Sequence, residues 1–183
     1  MGRSYLIFSI ILLLISCDNN KKPRQYSLAK DPLENTVIDK LPVKEKNNFT
    51  WDTPENWIAK ENNSFSLASY EIPYQNDSAD LSITKFSGDA GGVLANVNRW
   101  RRQLDLEPQT LEEIKATSIM GSSMIGNFSV YKIINEKQNQ AFLCTILPYT
   151  DSTIFIKLNS SIITANALEK KFLDFCSSFK SSK

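Results

Sequence analysis

The stretch AFLCTILPYTDSTIFIKL, residues 141–158, gives the strongest indication of the fold. Two runs rich in β-branched and aromatic residues, 141–147 and 153–158, flank the segment PYTDS at 148–152. Such runs favour strands over helices, and a short connection that contains Pro and Asp is typical of a hairpin. The stretch therefore predicts two neighbouring antiparallel strands.

Apolar patterns on both sides of this hairpin extend the prediction. Residues 128–134 form another strand-like run, and apolar residues that recur between positions 65 and 86 predict two earlier strands joined by a polar turn at 75–78. After the hairpin, four apolar residues share the spacing of one helical face: Leu168, Phe172, Phe175 and Phe179. We therefore predict an α+β fold, a largely antiparallel sheet packed by helices.

A second helix is predicted within GDAGGVLANVNRWRRQLDL, residues 88–106. Four of its apolar residues recur at helical spacing and form one stripe: Val93, Val97, Trp100 and Leu104. Asp89 is the expected N-cap, and the pair Gly91-Gly92 permits a tight entry from the preceding strand. Shortly afterwards, TLEE at 110–113 matches a capping box and predicts a short further helix.

The polar side chains of the 88–106 helix are the candidate binding residues. They are Asn96, Asn98, Arg99, Arg101 and Gln103. One interpretation is that they tie loops to the helix through buried hydrogen bonds, with the arginines paired to acids such as Asp89 or Asp105. The other is a recognition surface, because arginine and amide side chains bind carboxylate, phosphate or backbone groups of a partner. The sequence leaves both interpretations open.

The N-terminus carries the signals of export and lipidation. Residues 1–16 combine Arg3 with the apolar run 5–15, which is too short to span a bilayer as a mature helix and is typical of a signal peptide. The run ends in Leu14-Ile15-Ser16-Cys17, which resembles a bacterial lipobox. This resemblance implies cleavage before Cys17 and acyl chains on that residue, two or three of which anchor a protein stably. The alternative is an ordinary secretory signal whose cleavage site contains a cysteine.

The remainder of the chain divides into a tether and one domain. Residues 17–48 form the predicted lipidated N-terminus and flexible tether, because they are rich in Lys, Asn, Asp and Pro and have few large apolar residues in their first half. Residues 49–183 form the predicted single α+β domain. We therefore expect a domain outside the cytoplasm, lipid-anchored to the inner or the outer membrane of a bacterial cell envelope.

The charge balance argues against nucleic acid as a partner. Removal of the leader takes one of the 21 Lys and Arg residues and leaves them equal in number to the 20 Asp and Glu residues. A near-neutral domain lacks the clustered basic charge by which proteins displace counterions from nucleic acid. We expect the N-terminal acyl chains to bind the membrane and a protein of the envelope to be the partner.

The composition also excludes several kinds of catalytic and metal site. The chain has no histidine, which excludes Ser-His and Cys-His catalysis and histidine metal sites. No GxxxxGK[ST] loop is present, and no cofactor or metal is expected. Export favours the oxidation of thiols, so Cys144 and Cys176 either form a disulfide that joins the last helix to the sheet or stay two buried free thiols.

Four stretches resemble a group of uncharacterised bacterial lipoproteins and secreted proteins: Trp51-x-x-Pro54-x-x-Trp57, GGVLANVNRWRRQL at 91–104, FIKL at 155–158 and FLDFCSSFK at 172–180. Members carry a similar glycine pair, an Asn-x-Asn-Arg-Trp-Arg helix and a closing helix, and the resemblance covers residues 50–180. The order of strands and helices also resembles the Mog1/PsbP-type α/β/α sandwich, whose members mostly bind or assist larger complexes. Neither resemblance implies catalytic residues.

Two hypotheses about function follow from these observations. The first is a non-enzymatic binding or accessory module that acts on an envelope complex or ligand. The alternative is an enzyme that works without histidine, using arginine and carboxylates in a groove beside the helix that carries Asn96 and Gln103.

The lipid anchor can be tested by metabolic labelling. We expect labelled palmitate to enter the wild-type protein and to be absent from the Cys17→Ser variant, because acylation requires the sulfur and the new N-terminus at that position. Equal labelling of both proteins, or labelling of neither, would contradict the prediction.

Overall fold

The computed structural model of the protein describes residues 48–61 and 65–182. The predicted signal peptide at 1–16, the predicted lipidation site Cys17 and the predicted tether up to residue 47 lie outside the described residues. None of the helices that the described ranges form has the length and apolar content needed to cross a membrane.

Nine strands and three helices occur in the described part of the chain. The strands are β1 (Phe49–Thr50), β2 (Ile58–Ala59), β3 (Ser66–Tyr74), β4 (Asp77–Ser87), β5 (Ile119–Ser123), β6 (Gly126–Asn135), β7 (Gln140–Tyr149), β8 (Ser152–Ser160) and β9 (Lys180–Ser181). The helices are α1 (Gly92–Gln103), α2 (Leu111–Ala116) and α3 (Ile162–Ser177).

Seven of the strands form one sheet in the order β2-β3-β4-β8-β7-β6-β5, and every neighbouring pair is antiparallel. The hairpin predicted from residues 141–158 is β7–β8, in which Cys144 lies opposite Lys157. Its connection is only two residues long, Thr150-Asp151, and Thr150 has a positive φ of 50°. The predicted α+β fold with a largely antiparallel sheet is therefore confirmed.

Alternate residues of the central strands enter two separate cores, one on each face of the sheet. On β7, Phe142, Cys144 and Ile146 pack with residues of α1 and α2, whereas Leu143 and Leu147 pack with residues of α3. Successive side chains of a strand point to opposite faces, so a strand buried on both sides reads as a continuous apolar run. The helices thus lie on both faces, as in an α/β/α sandwich.

The α3 face contains the larger core. The helix begins after the N-cap Ser161, whose Oγ accepts a hydrogen bond from the Thr164 backbone N–H at 3.3 Å. The predicted apolar face is buried, and Phe179 is fully buried although it follows the end of the helix. Complete burial of a phenylalanine side chain contributes about 1.5–3 kcal/mol, so this face supplies much of the stability of the domain.

On the α1 face the predicted apolar stripe is buried, whereas the N-cap of α1 differs from the prediction. Val97, Trp100 and Leu104 are buried, and the capping box of α2, formed by Thr110 and Glu113, is confirmed. The N-cap of α1, however, is Gly91 and not Asp89. Gly91 has a φ of 91°, which favours glycine. The Asp89 carboxylate lies two residues before this cap and accepts a hydrogen bond from the Gly91 N–H at 3.0 Å in place of an N–H of the helix.

The two-stranded sheet β1–β9 closes one end of the domain. Phe49 lies opposite Ser181, and the Asn48 carbonyl accepts a hydrogen bond from the Ser182 N–H at 2.9 Å. The Phe49 ring stacks on Phe179 and meets the edge of Tyr149, with ring centroids 6.1 and 5.1 Å apart. We call this arrangement the β1–β9 clasp.

The two cysteines in the described domain lie in different cores. Cys144 packs in the α1-face core and Cys176 in the α3-face core, and both are free and buried. The structure therefore has two free thiols in place of the alternative disulfide, because the sheet separates them. The Cys176 sulfur instead lies 3.1 Å from the Thr145 hydroxyl.

The close packing of β5 against β6 predicts a severe effect of one methyl group. A Cβ at Gly121 would lie 2.3 Å from Cζ of Phe128, whose ring is only 1% exposed and sits opposite it in the register. We expect Gly121→Ala to lower the free energy of unfolding by about 1–3 kcal/mol in urea titrations, because overpacking displaces the ring. Phe128→Leu removes the clashing atoms, so the double variant should lose less than the sum of both single changes. Additive losses would contradict this.

The state of the thiols predicts their reactivity. Burial raises the pKa of both cysteines, that of Cys176 to about 12, so at about pH 8 both stay protonated and unreactive. In a Cys17→Ser background we expect a thiol reagent to find no reactive group in the native protein and two after denaturation without reductant. No reactive thiol after denaturation would indicate a disulfide.

Candidate functional site

The α1 side of the sheet is covered over only part of its width. The strand residues buried with α1 and α2 come from β6, β7 and β8. Next to them, the same face of β3 and β4 is open and forms a cleft of about 320 Å³. Its polar lining includes Lys60, Ser69, Asp80, Ser82, Lys157 and Asn159. We call it the α1 cleft, because Lys157 in its lining binds Gln103 of α1. Residues of the 88–106 stretch line a separate cleft of about 580 Å³, which includes Asn98, Arg102, Asp105 and Leu106.

The register explains how these polar residues come together. Ser82 of β4 lies opposite Ser69 of β3 on one side and opposite Lys157 of β8 on the other. Directly opposed residues of an antiparallel pair share a face of the sheet. Lys157 in turn lies opposite Cys144, a member of the α1-face core. The α1 cleft and the α1-face core are therefore parts of one surface of the sheet.

Lys157 joins this cleft to α1. Its Nζ donates a hydrogen bond to Gln103 Oε1 at 2.5 Å and lies 3.6 Å from the centre of the Phe142 ring, where a cation–π interaction holds it. Partial burial lowers the pKa of Lys157, and the positive charge of Arg99 lowers it further, whereas Cys144 acts in the opposite direction. The ammonium group is thus fixed in position beside a second cation.

Arg99 is exposed on α1, one helical turn before Gln103. Throughout residues 48–61 and 65–182, its guanidinium forms no hydrogen bond and no ion pair. Trp100, the next residue, is buried against Phe155 of β8, with ring centroids 5.9 Å apart, and this contact fixes the rotation of α1. Arg99 therefore presents its five N–H donors to solvent from a rigid helix.

An ion pair between Lys60 and Asp80 lies on the side of the α1 cleft away from α1. Lys60 Nζ lies 2.7 Å from Asp80 Oδ1, and this hydrogen bond raises the pKa of Lys60. Both side chains are exposed, so the pair contributes little to stability. Within the described ranges, no group of three or more His, Cys, Asp or Glu residues is arranged to hold a metal ion.

The other three predicted site residues bind the loops at the two ends of α1. Asn96 is 1% exposed, and its Nδ2 donates hydrogen bonds to the carbonyls of Ala90 and Gly92 at 2.9 and 2.7 Å. Asn98 forms two hydrogen bonds of 2.8 Å with the backbone of Gln109. These contacts match the interpretation in which polar groups tie loops to the helix.

Arg101 has the same kind of role. Its Nε donates a hydrogen bond to the Glu107 carbonyl at 2.7 Å and so holds the chain that leaves α1. The expected arginine pairs with Asp89 or Asp105 are absent from the described structure, where Asp105 instead accepts a hydrogen bond from Gln138 at 2.8 Å. Of the five predicted residues, Gln103 binds Lys157 in the lining of the α1 cleft, and Arg99 is exposed one helical turn before Gln103. The role of both in recognition stays a prediction.

Sequence reasoning missed Lys157, which connects these two residues to the sheet. One signal was present: it is the single charged residue in the apolar run 153–158. A lysine in a strand that is otherwise buried on both faces needs a partner for its charge. Lys60 and Asp80 gave no such signal, because their pairing depends on strands that are distant in sequence.

Comparisons with known proteins identify the fold. No protein-family model and no curated protein sequence matches the chain. The solution structure of cyanobacterial PsbP (CyanoP) from Synechocystis matches with a TM-score of 0.50 at 10% identity, over 74% of this chain and 87% of that one.

Two crystal structures also match. One is a protein of Bacteroides thetaiotaomicron, with a TM-score of 0.44 at 13% identity, over 74% of this chain and 46% of that one. The other is LpqN, described as involved in cell envelope biogenesis of Mycobacterium tuberculosis, with a TM-score of 0.41 at 10% identity, over 74% of this chain and 83% of that one. The match to CyanoP confirms the predicted PsbP-like fold, while membership of the lipoprotein group with the NRWR motif stays a prediction.

Proposed function

We propose that this protein is a non-enzymatic binding module, lipid-anchored in a bacterial cell envelope, that binds a protein partner at the α1 cleft. The proposal rests on the different contacts that the polar residues of α1 make. Three polar residues hold the loops at its ends, whereas Gln103 binds Lys157 at the edge of the α1 cleft and Arg99 is exposed one helical turn before Gln103. The donors of Arg99 serve no structural purpose in the described domain.

The rigidity of the surface supports a binding role. α1 is fixed by Trp100 and Leu104 below it and by side-chain hydrogen bonds at both of its ends. Gln103 and the Phe142 ring hold Lys157 in one place. Binding groups that are already ordered lose little conformational entropy when a partner arrives, which favours affinity.

The chemistry near the cleft favours binding over catalysis. The chain has no histidine, and burial raises the pKa of the Cys144 thiol, which lies below Lys157, so this thiol is a poor nucleophile. The alternative of a histidine-independent enzyme would use the carboxylates that line the cleft, Glu61 and Asp80, of which Asp80 is paired with Lys60.

The envelope location rests on the sequence signals at the N-terminus. The signal-like run and the lipobox-like Leu14–Cys17 support export and acylation. The PsbP-like fold agrees with an accessory role, since the members of the group that the chain resembles mostly bind or assist larger complexes.

The double variant Arg99→Ala/Gln103→Ala tests the proposal. The protein is crosslinked to its partner in native envelopes and recovered by affinity capture. We expect the double variant to recover at least about tenfold less partner than the wild type, because a charge-assisted contact of the interface is lost. Its free energy of unfolding should change by less than about 1 kcal/mol, since both side chains are exposed.

The matched control is Arg102→Ala, which removes the same charge from another exposed position of α1. This variant should capture the partner as the wild type does. If the double variant unfolds, the two side chains are structural. If it captures the same protein as efficiently as the wild type, the α1 cleft is not the docking site.

A further inference from the structure

We propose that the partner presents a carboxylate to the α1 cleft, and that Arg99 and Lys157 bind it together. This inference rests on the proposed function, because it assigns the chemistry of the contact within the same site. Arg99 supplies the guanidinium fork from α1, and Lys157 supplies an ammonium group from β8.

The first argument is an uncompensated pair of cations. Arg99 precedes Gln103 by one helical turn of α1, and Gln103 binds Lys157, so both cations lie on the same side of the helix. Yet neither cation has a carboxylate within ion-pair distance among residues 48–61 and 65–182. A half-buried ammonium group that has a second cation nearby and no anion is less favourable than one that is paired with an anion. A bound carboxylate would relieve this repulsion.

The second argument is the number of hydrogen-bond donors left over. The ammonium group of Lys157 has three N–H donors, and Gln103 accepts from one of them. The remaining two, and all five donors of Arg99, have no acceptor in the described structure. Arginine binds a carboxylate through two parallel hydrogen bonds, and an adjacent ammonium group adds a third.

The position of the existing acids favours a carboxylate over a phosphate. Glu61 and Asp80 line the same cleft on the side away from α1. A doubly charged phosphate would face these two acids at the same time as the two cations. A singly charged carboxylate neutralises the α1 side with less repulsion from the acidic side. Protein surfaces supply such groups as Asp and Glu side chains.

Gln103 and Phe142 act as positioning residues in this arrangement. The Gln103 carbonyl oxygen and the Phe142 ring fix the ammonium group of Lys157 at 2.5 Å and 3.6 Å, without neutralising its charge. A carboxylate at either position would have formed an internal ion pair and closed the site. The neutral contacts leave the cation available to an external anion.

The test uses isotope-labelled full-length protein in detergent and follows the side-chain N–H signals of arginine and the amide signals of β8 by NMR. The probes are N-acetyl-glutamate N-methylamide, its neutral glutamine counterpart and inorganic phosphate. We expect the glutamate probe to shift the Arg99 Nε–H and Lys157 signals saturably, and the glutamine probe to leave them unchanged. Arg99→Gln should weaken the glutamate response about tenfold, whereas Arg102→Gln should not alter it.

Several outcomes would overturn the assignment. One is a response to phosphate that exceeds the response to glutamate. Another is glutamate binding that survives Arg99→Gln, or shifts of equal size at Lys60 and Lys170, which would indicate general charge screening. Because Arg99 is exposed, its replacement leaves the fold intact, so loss of the response reports on binding.

The results separate this inference from the proposed function. If partner capture depends on Arg99 and Gln103 but the glutamate probe does not bind, the carboxylate assignment alone fails. If the probe binds but capture is unchanged in the double variant, the cleft binds small carboxylates and the protein-docking proposal fails.

Discussion

Burial of both faces of the β7–β8 hairpin is the constraint on which the rest of the structure depends. Residues of these strands alternate between the two cores, so neither face can be left in water. Each face therefore requires a helical layer: α3 on one side, and α1 with α2 on the other. The aromatic residues of α3 and Trp100 of α1 are the largest side chains that the helices contribute to these cores.

The two layers differ in extent, and the α1 cleft results from this difference. Seven strands spaced about 4.8 Å apart make a sheet about 29 Å wide, whereas one helix is about 10 Å across. α1 and the short α2 cover β6, β7 and β8, and the remaining strands expose small polar side chains such as Ser69 and Ser82 on that face. The outcome is a cleft whose floor is formed by residues of β3, β4 and β8, with Gln103 of α1 bound to Lys157 at its edge. The only half-buried cation on that floor, within the described ranges, is Lys157, which lies where helix and floor meet.

The sequence predicted the elements that depend on a regular local pattern, but it missed some element ends and the contacts that depend on residues distant in sequence. The strands of 128–158, the apolar faces of α1 and α3 and the capping box at Thr110 follow from periodicity and short-range chemistry. The N-cap of α1 was wrong, because a left-handed glycine replaced the side-chain cap expected from Asp89. The two-residue strand β2 has no periodic signal, and the turn predicted at 75–78 is narrower, at 75–76. Whether a polar residue of α1 holds a loop or faces the sheet depends on the segment that lies beside it. Asn98 lies beside Gln109 of a loop, and Gln103 lies beside Lys157 of β8. No helical periodicity contains that information.

The β1–β9 clasp is the first part of the described domain to bear any force applied to the chain at residue 48. Tension applied at residue 48 reaches the domain first through the hydrogen bond between Asn48 and Ser182, then through the two residue pairs of the clasp. Resistance then passes to the rings of Phe49 and Trp51, which stack on Phe179. Phe49 also contacts Tyr149 at the end of β7, so part of the load passes from the clasp to the seven-stranded sheet.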